Sequence, residues 1–345
     1  YKSIFMWAAA PLEFRSLYLG ITGPVFHKDT KKAIFSHEVT PSQEELLNKI
    51  IATKNYFLLW GPPGTGKTSV MIKNLVAHLH DQTNENILLL AYTNRAVDEI
   101  CDAVIRISSD YKDKFIRLGS RVSAGEQYAS QLLDQKIKSL STRQDILNLL
   151  QEKRIFISTV SSIVNRTELF NLKEFDTVII DEASQILEPM LCGLLSRFKR
   201  YILIGDHKQL PAVVVQDAIK SKIKHEELNH LGIGNTRTSL FERLYLQVVR
   251  NNWHQAYGIL EQQGRMHETL MDFPNKHFYD GKLQLIPGSG RQTVPLFFEI
   301  CHDETKYLQQ RKVFIDTNED EEINWKTNIN EANACVEVIN DLIRL

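Results

Sequence analysis

The sequence predicts an α/β fold with parallel sheets, arranged as two domains. Three observations predict it. Short apolar runs at 57–60, 87–91, 155–158, 177–180 and 201–204 alternate with helical stretches. The runs are apolar almost throughout instead of alternating with polar residues, as strands covered on both faces are. A length of 345 residues sets a prior of about two domains, and 43% apolar with 24% charged residues is ordinary for a globular protein.

Taken in order, residues 1–38 mix aromatic, basic and apolar side chains without clear periodicity, and are read as the remnant of a preceding region packed on the core. At Thr40-Pro41-Ser42-Gln43-Glu44 a cap and early acids open a helix, followed by Leu46, Leu47, Ile50 and Ile51 at helical spacing. The first strand ends at Trp60, and a helical pattern covers 69–80. Residues 105–154 are polar, Gly-poor and basic, and read as a helical insertion. Residues 216–240 read as a surface helix and loop. The first domain is placed at 39–248 and a partial second domain at 249–345, with a further candidate strand at 312–315. The acidic run 316–322 reads as a solvated loop, because adjacent like charges repel. A last helical pattern covers 330–345 and runs to the final residue. With no initiator Met at Tyr1, the sequence reads as part of a longer polypeptide.

Between the first strand and the 69–80 helix lies Gly61-Pro62-Pro63-Gly64-Thr65-Gly66-Lys67-Thr68. A strand feeding a Gly-rich turn at a helix N-terminus aims several backbone N–H groups at one point, and the helix dipole reinforces that anion site. Glycine at 64 and 66 lets the backbone curl and approach phosphates. Lys67 can reach the β/γ-phosphates, and the Thr68 hydroxyl can hold Mg²⁺. The octapeptide predicts a P-loop NTPase that binds ATP.

Run 177–180 ends in Asp181-Glu182-Ala183-Ser184-Gln185. Acids at the C-terminal end of a parallel strand sit at the crevice where such sheets bind ligands. Asp181 is placed to hold Mg²⁺, and Glu182 to polarise the attacking water as general base. Run 201–204 leads into Gly205-Asp206-His207-Lys208-Gln209-Leu210-Pro211, where the neutral amide of Gln209 suits a γ-phosphate sensor. A strand-end acid pair that caps a helix, or a polar turn closed by Pro211, are the plainer readings of the two segments taken singly. His207 and His267 lack the partner spacing of metal ligands.

GPPGTGKT, DEASQ, GDHKQLPAV and the later Gln263-Gly264-Arg265-Met266-His267 together resemble the superfamily-one nucleic-acid helicases. The resemblance is greatest to the branch of the nonsense-mediated-decay helicase and the Okazaki-fragment nuclease-helicase, and covers 40–345. It implies two RecA-like domains, the second truncated, with ATP·Mg²⁺ between them and movement 5′ to 3′ along single-stranded DNA or RNA. It also implies roles for residues. Gln43 matches the glutamine that reads the adenine edge, and Arg265 an arginine set against the γ-phosphate, although Gly264 replaces the family's usual aromatic. Thr93 and Asn94, in Ala91-Tyr92-Thr93-Asn94-Arg95, and Ser158 and Thr159, in Ser158-Thr159-Val160-Ser161-Ser162, match the strand-contacting motifs. Phosphate and sugar contacts of that kind position a strand without reading its sequence. Turn capping is the competing role for all four. The family's helix-borne arginine of the second domain has no match here, so this stretch is expected to bind nucleotide better than it hydrolyses it.

The bulk numbers narrow the partners. A net charge of −1 advertises no polyanion globally, so a nucleic-acid surface must be a local groove. Cys101, Cys192, Cys301 and Cys335 are scattered, which argues against disulfide, zinc or iron–sulfur frameworks and suits a reducing, intracellular compartment. No run is long enough for a transmembrane helix. Besides a helicase, a strand-binding ATP switch that does not unwind, and the motor part of a nuclease-helicase, fit these residues.

Overall fold

A computed structural model describes residues 2–27, 32–35, 38–122, 124–288, 290–294, 307–317 and 328–344. The chain divides into two compact units, Tyr1–Glu261 and Gln262–Leu345.

The first unit is built on seven parallel strands: β1 (Tyr56–Trp60), β2 (Ile87–Ala91), β3 (Phe115–Arg117), β4 (Ile155–Thr159), β5 (Thr177–Ile180), β6 (Arg200–Gly205) and β7 (Tyr257–Ile259). Their order across the sheet is β3-β4-β2-β5-β6-β1-β7, and every pairing is parallel. Every residue of β1, β2, β4, β5 and β6 is buried, which is why their sequences lack alternation. On one face Phe57, Leu59, Leu89, Ile157, Ile179 and Ile202 pack with Leu47, Ile50, Leu75, Val76, Ile100 and Val104 of the helices Pro41–Ala52, Lys73–Gln82 and Asn94–Ile105. Residues of the opposite parity, among them Leu58, Leu88, Phe156, Val178 and Leu203, are equally buried. The helix Leu240–Arg250 packs on that side against β1 and β6.

The helix expected from Thr40 is present as Pro41–Ala52, and a capping box fixes its start: Gln43 N–H donates to Thr40 Oγ1 at 3.4 Å, and Thr40 N–H to Gln43 Oε1 at 3.0 Å. The insertion expected to be helical carries an edge strand instead, β3, amid short 3₁₀ turns and the helix Arg143–Glu152. Three residues, one of them Arg117, are too few to give a period. The first unit reaches Glu261, past the expected boundary at 248, because β7 pairs with β1 through Leu58, Leu59 and Trp60. Residues 216–240 hold the short helix Glu226–His230 and a bridge between Lys222 and Asn235.

The N-terminal stretch belongs to the first unit. The helix Lys2–Ala8 lies against Glu188–Leu195 so closely that a Cβ on Gly193 would sit 2.0 Å from Ser3 O. Arg243, 1% exposed, forks onto Glu188 at 2.5 and 2.9 Å and donates to Tyr18 O at 3.0 Å, clamping the helix Leu12–Leu19 as well.

In the second unit, β8 (Gln262–Gln263) and β9 (Gln284–Leu285) pair in parallel, and the unit also holds the helices Glu268–Phe278 and Ile329–Arg344. Residues 312–315, expected as a strand, are irregular: Phe314 is 91% exposed, and no described strand lies alongside to complete a ladder. Residues 318–322 of the acidic run lie outside the described residues. No described helix is long and apolar enough to cross a membrane.

Candidate active site

Three neighbouring strands, β5, β6 and β1, end at the same edge of the sheet and deliver the acids, the amide and the phosphate loop to one place. After Trp60 the chain curls through Gly64 and Gly66, at φ 78° and 83°, in the left-handed region that glycine enters freely. Thr65 Oγ1 braces the loop by donating to Pro62 O at 2.7 Å. The following helix opens with one wide turn, Lys67–Ile72, in which Met71 N–H reaches Gly66 O at 3.0 Å. Lys67 folds back over the loop. Its Nζ donates to Gly61 O at 2.8 Å and lies 3.4 Å from Glu182 Oε1. Glycine at 61 is needed for this path, since a Cβ there would meet Lys67 Cγ at 2.3 Å. Gln43 is 3% exposed and donates from Nε2 to Thr65 O at 3.2 Å, so its amide rests on the phosphate loop.

β5 delivers the acids. Asp181 N–H continues the ladder to Leu90 O at 2.8 Å, and Asp181 Oδ2 accepts from Thr68 Oγ1 at 2.7 Å. Burial, reinforced by the neighbouring Glu182, pushes the Asp181 carboxyl up to about 6. Glu182 adopts φ 52° and ψ 36°, a left-handed conformation unusual for a side chain of its size. That turn swings its carboxylate back toward Lys67.

β6 delivers the amide. Gln209 Nε2 donates to Asp206 Oδ2 at 2.8 Å, and Asp206 is wholly buried. Asp206 Oδ1 accepts from Trp60 Nε1 at 2.8 Å and from Lys208 N at 3.0 Å, while Asp206 N–H donates to Ser184 Oγ at 3.1 Å. A Cβ on Gly205 would lie 2.9 Å from Ser184 N, so the two loops touch backbone to backbone.

A family model described as AAA domain matches residues 38–145 and 125–217, and a second with the same description matches 236–345. The human DNA replication ATP-dependent helicase/nuclease DNA2 is 34% identical over 272 residues, 77% of this chain and 23% of its own length. The chain belongs to the superfamily-one helicases. Its branch is the one that the nuclease-helicase and the nonsense-mediated-decay helicase share. The Saccharomyces cerevisiae DNA2 helicase/nuclease is 28% identical over 78% of this chain and 16% of its own, and an uncharacterized ATP-dependent helicase of Methanocaldococcus jannaschii is 26% identical over 78% and 49%. The chain thus spans less than a quarter of the human relative. Among solved structures, the Pif1 helicase from Candida albicans aligns at 16% identity and TM-score 0.38 over 69% of this chain and 43% of its own. An arterivirus helicase in complex with DNA aligns at 13% and 0.40 over 70% and 43%. The stretch that this chain spans is the motor core of the helicase family.

The other residues matched by the family resemblance lie at the ends of β2 and β4, adjacent strands on the far side of β5. Tyr92, Thr93 and Asn94 are exposed there. Thr93 Oγ1 caps the helix Asn94–Ile105 by accepting from Ala96 N–H at 3.1 Å, and Thr159 Oγ1 caps Val160–Val164 by accepting from Ser162 N–H at 3.1 Å. Both threonines therefore serve as caps, and Ser158 is wholly buried with no partner for its hydroxyl. The Asn94 side chain is exposed at that end, beside those of Tyr92 and Arg95. In the second unit Arg265 is exposed, on a turn that the buried Gln263 holds by accepting from Arg265 N–H at 2.9 Å and Met266 N–H at 2.7 Å. Sequence reasoning missed Trp60, Ser184 and Asp206 as site residues. Only the position of Asp206 inside GDHKQ, three residues before Gln209, could have pointed to it.

Proposed function

We propose that the chain uses ATP·Mg²⁺ to drive movement along a single strand of DNA or RNA, in the 5′ to 3′ direction that the family resemblance implies. The observation that carries this is the convergence of Lys67, Thr68, Asp181 and Glu182 from two strand ends, with Lys67 Nζ 3.4 Å from Glu182 and Thr68 Oγ1 2.7 Å from Asp181. A buried carboxylate facing a hydroxyl fits Mg²⁺, which takes one or two protein oxygens and fills its remaining positions with water and phosphate. Asp181 and Thr68 would hold it, and when bound it would neutralise charge on the β- and γ-phosphate oxygens.

The chain's own groups do the rest. Backbone N–H groups of the loop cradle phosphate oxygens. Lys67 exchanges Gly61 O for a phosphate oxygen. Its departure frees the Glu182 carboxylate to take a proton from the attacking water, and Gln209 orients that water. Arg265 is the arginine we assign to the γ-phosphate. Asn94, Thr93, Thr159 and Ser158 mark the strand-binding end of the same sheet, and Gln43 the base end of the nucleotide. The names of the DNA2 relatives favour one second reading, in which this motor belongs to a nuclease-helicase.

ATP turnover measured with no polymer, single-stranded DNA or single-stranded RNA tests the reading. Stimulation by one polymer is expected and names the track; turnover indifferent to both would reject the motor. Lys67→Ala should lose ATP binding. Glu182→Gln should keep binding and lose about 10²–10⁴-fold in kcat, the scale of general-base catalysis.

A further inference from the structure

Asp206 is a fully buried carboxylate to which no step above gives a role, yet it gathers three separate parts of the site. Its backbone N–H bonds Ser184 beside the acid pair, its Oδ2 accepts from the Gln209 amide, and its Oδ1 accepts from the indole of Trp60, the residue that precedes the phosphate loop. Trp60 is 4% exposed. Its ring lies 4.6 Å from that of His207 and 5.3 Å from that of Tyr245, and His207 and Tyr245 are themselves 4.6 Å apart. The backbone around Asp206 is therefore held on its polar and its aromatic side at once.

We propose that Asp206 and Trp60 are positioning residues for hydrolysis: the buried carboxylate selects which end of the Gln209 amide faces the phosphate and water, and Trp60 ties that choice to the strand carrying the phosphate loop. The proposal rests on Gln209 facing the γ-phosphate. A glutamine amide has two ends of nearly equal shape and opposite polarity, and rotation about its last bond exchanges them. A carboxylate only accepts hydrogen bonds, and an indole N–H only donates. Asp206 therefore draws the NH₂ end of Gln209 toward itself, and an amide oxygen in that place would face another oxygen inside a buried site. With the NH₂ end fixed, its second N–H can donate to a phosphate oxygen while Oε1 accepts from water. The reversed amide would present oxygen to phosphate and repel it. Trp60 Nε1 and the Lys208 N–H engage Oδ1, and Gln209 meets Oδ2. Any shift of the loop strand on nucleotide binding is thereby felt by the sensor through two hydrogen bonds.

A buried aspartate can also brace a fold without acting on the reaction, so the test must separate the two roles. In the full chain, with saturating single-stranded polymer, kcat for ATP and the affinity for a fluorescent ATP analogue are measured for Asp206→Asn, Trp60→Phe, Gln209→Ala and both double variants with Gln209→Ala. Asparagine at 206 can meet either end of the amide. Asp206→Asn is expected to lower kcat about 10–100-fold, the range for outer groups that orient a working one, and to leave analogue affinity within about threefold. Trp60→Phe should act in the same direction, less strongly. Neither should add more than about twofold once Gln209 is alanine, because residues acting through one group are non-additive. Losses that multiply on the Gln209→Ala background, or an unchanged kcat in Asp206→Asn, overturn the proposal. Should Asp206→Asn fail to fold, the Trp60→Phe cycle decides on the same criterion. An unchanged kcat in Gln209→Ala itself would instead sink the sensor assignment, and the proposal with it.

Discussion

Glu182 sits at φ 52°, where a side chain costs about 1–2 kcal/mol and glycine nothing. Glycine returns part of that gain by loosening the unfolded chain by about 0.4–1 kcal/mol. Glu182→Gly should therefore melt no lower than the parent while losing turnover, and a large drop in Tm would show that the carboxylate is structural. Two other groups titrate in opposite senses. Asp181 is raised to about 6 by burial, so the stability of its neutral form is full below 3.8 and lost as pH rises through about 6. His207 is lowered from 6.5 to about 4, again chiefly by burial, so the stability of its neutral ring is full above 6.5 and lost as pH falls through about 4. Thermal melts of His207→Phe should accordingly lose less Tm between pH 6.5 and pH 4 than the parent does; an equal loss would remove His207 from the acid response. Local spacing within GPPGTGKT and DEASQ singled out Lys67, Thr68, Asp181 and Glu182, and the structure brings the four side chains together. The bond from Trp60 to Asp206 spans 146 positions and leaves no local trace.

At the scale of elements, the long central strands were legible because burial on both faces makes them apolar throughout, whereas β3 and β7 are three residues each and too short to show a pattern. The insertion was read as helical from its polarity, but Arg117 enters the sheet edge because Asp98 pairs with it at 2.9 Å. A tertiary partner can make a basic residue strand-compatible, and that partner sits on another element, the helix Asn94–Ile105. The phosphate loop was legible down to its glycines, yet only the structure separates their duties. Gly64 and Gly66 serve the backbone turn, and Gly61 makes room for Lys67. Gly61→Ala should displace the lysine and cost the charge-assisted bond to phosphate, about 1.5–3 kcal/mol. ATP-analogue affinity should fall about ten- to a hundredfold with little change in Tm. Retained affinity would mean that Lys67 has another route to the phosphate.

At the scale of the molecule, the clamp of Arg243 on Glu188 and Tyr18 O joins the helices Leu12–Leu19, Glu188–Leu195 and Leu240–Arg250. Glu188→Ala would strand a buried guanidinium and should cost about 3–5 kcal/mol in denaturant unfolding; a cost under about 1 kcal/mol would place that arginine in contact with water. Two domains were legible from length and from the second apolar–helical alternation. Their division point was not, because β7 is chosen by its fit to the free side of β1. The sheet edge also has a mechanical side. A pull on a bound strand would enter through residues 92–94 and run along the axis of β2, which has β4 on one side and β5 on the other. Loaded in that direction, the rungs of both ladders share the force in shear, and none can be peeled away alone. β2, paired along its length on both sides, bears tension better than the three-residue edge strands β3 and β7, where the sheet would tear first.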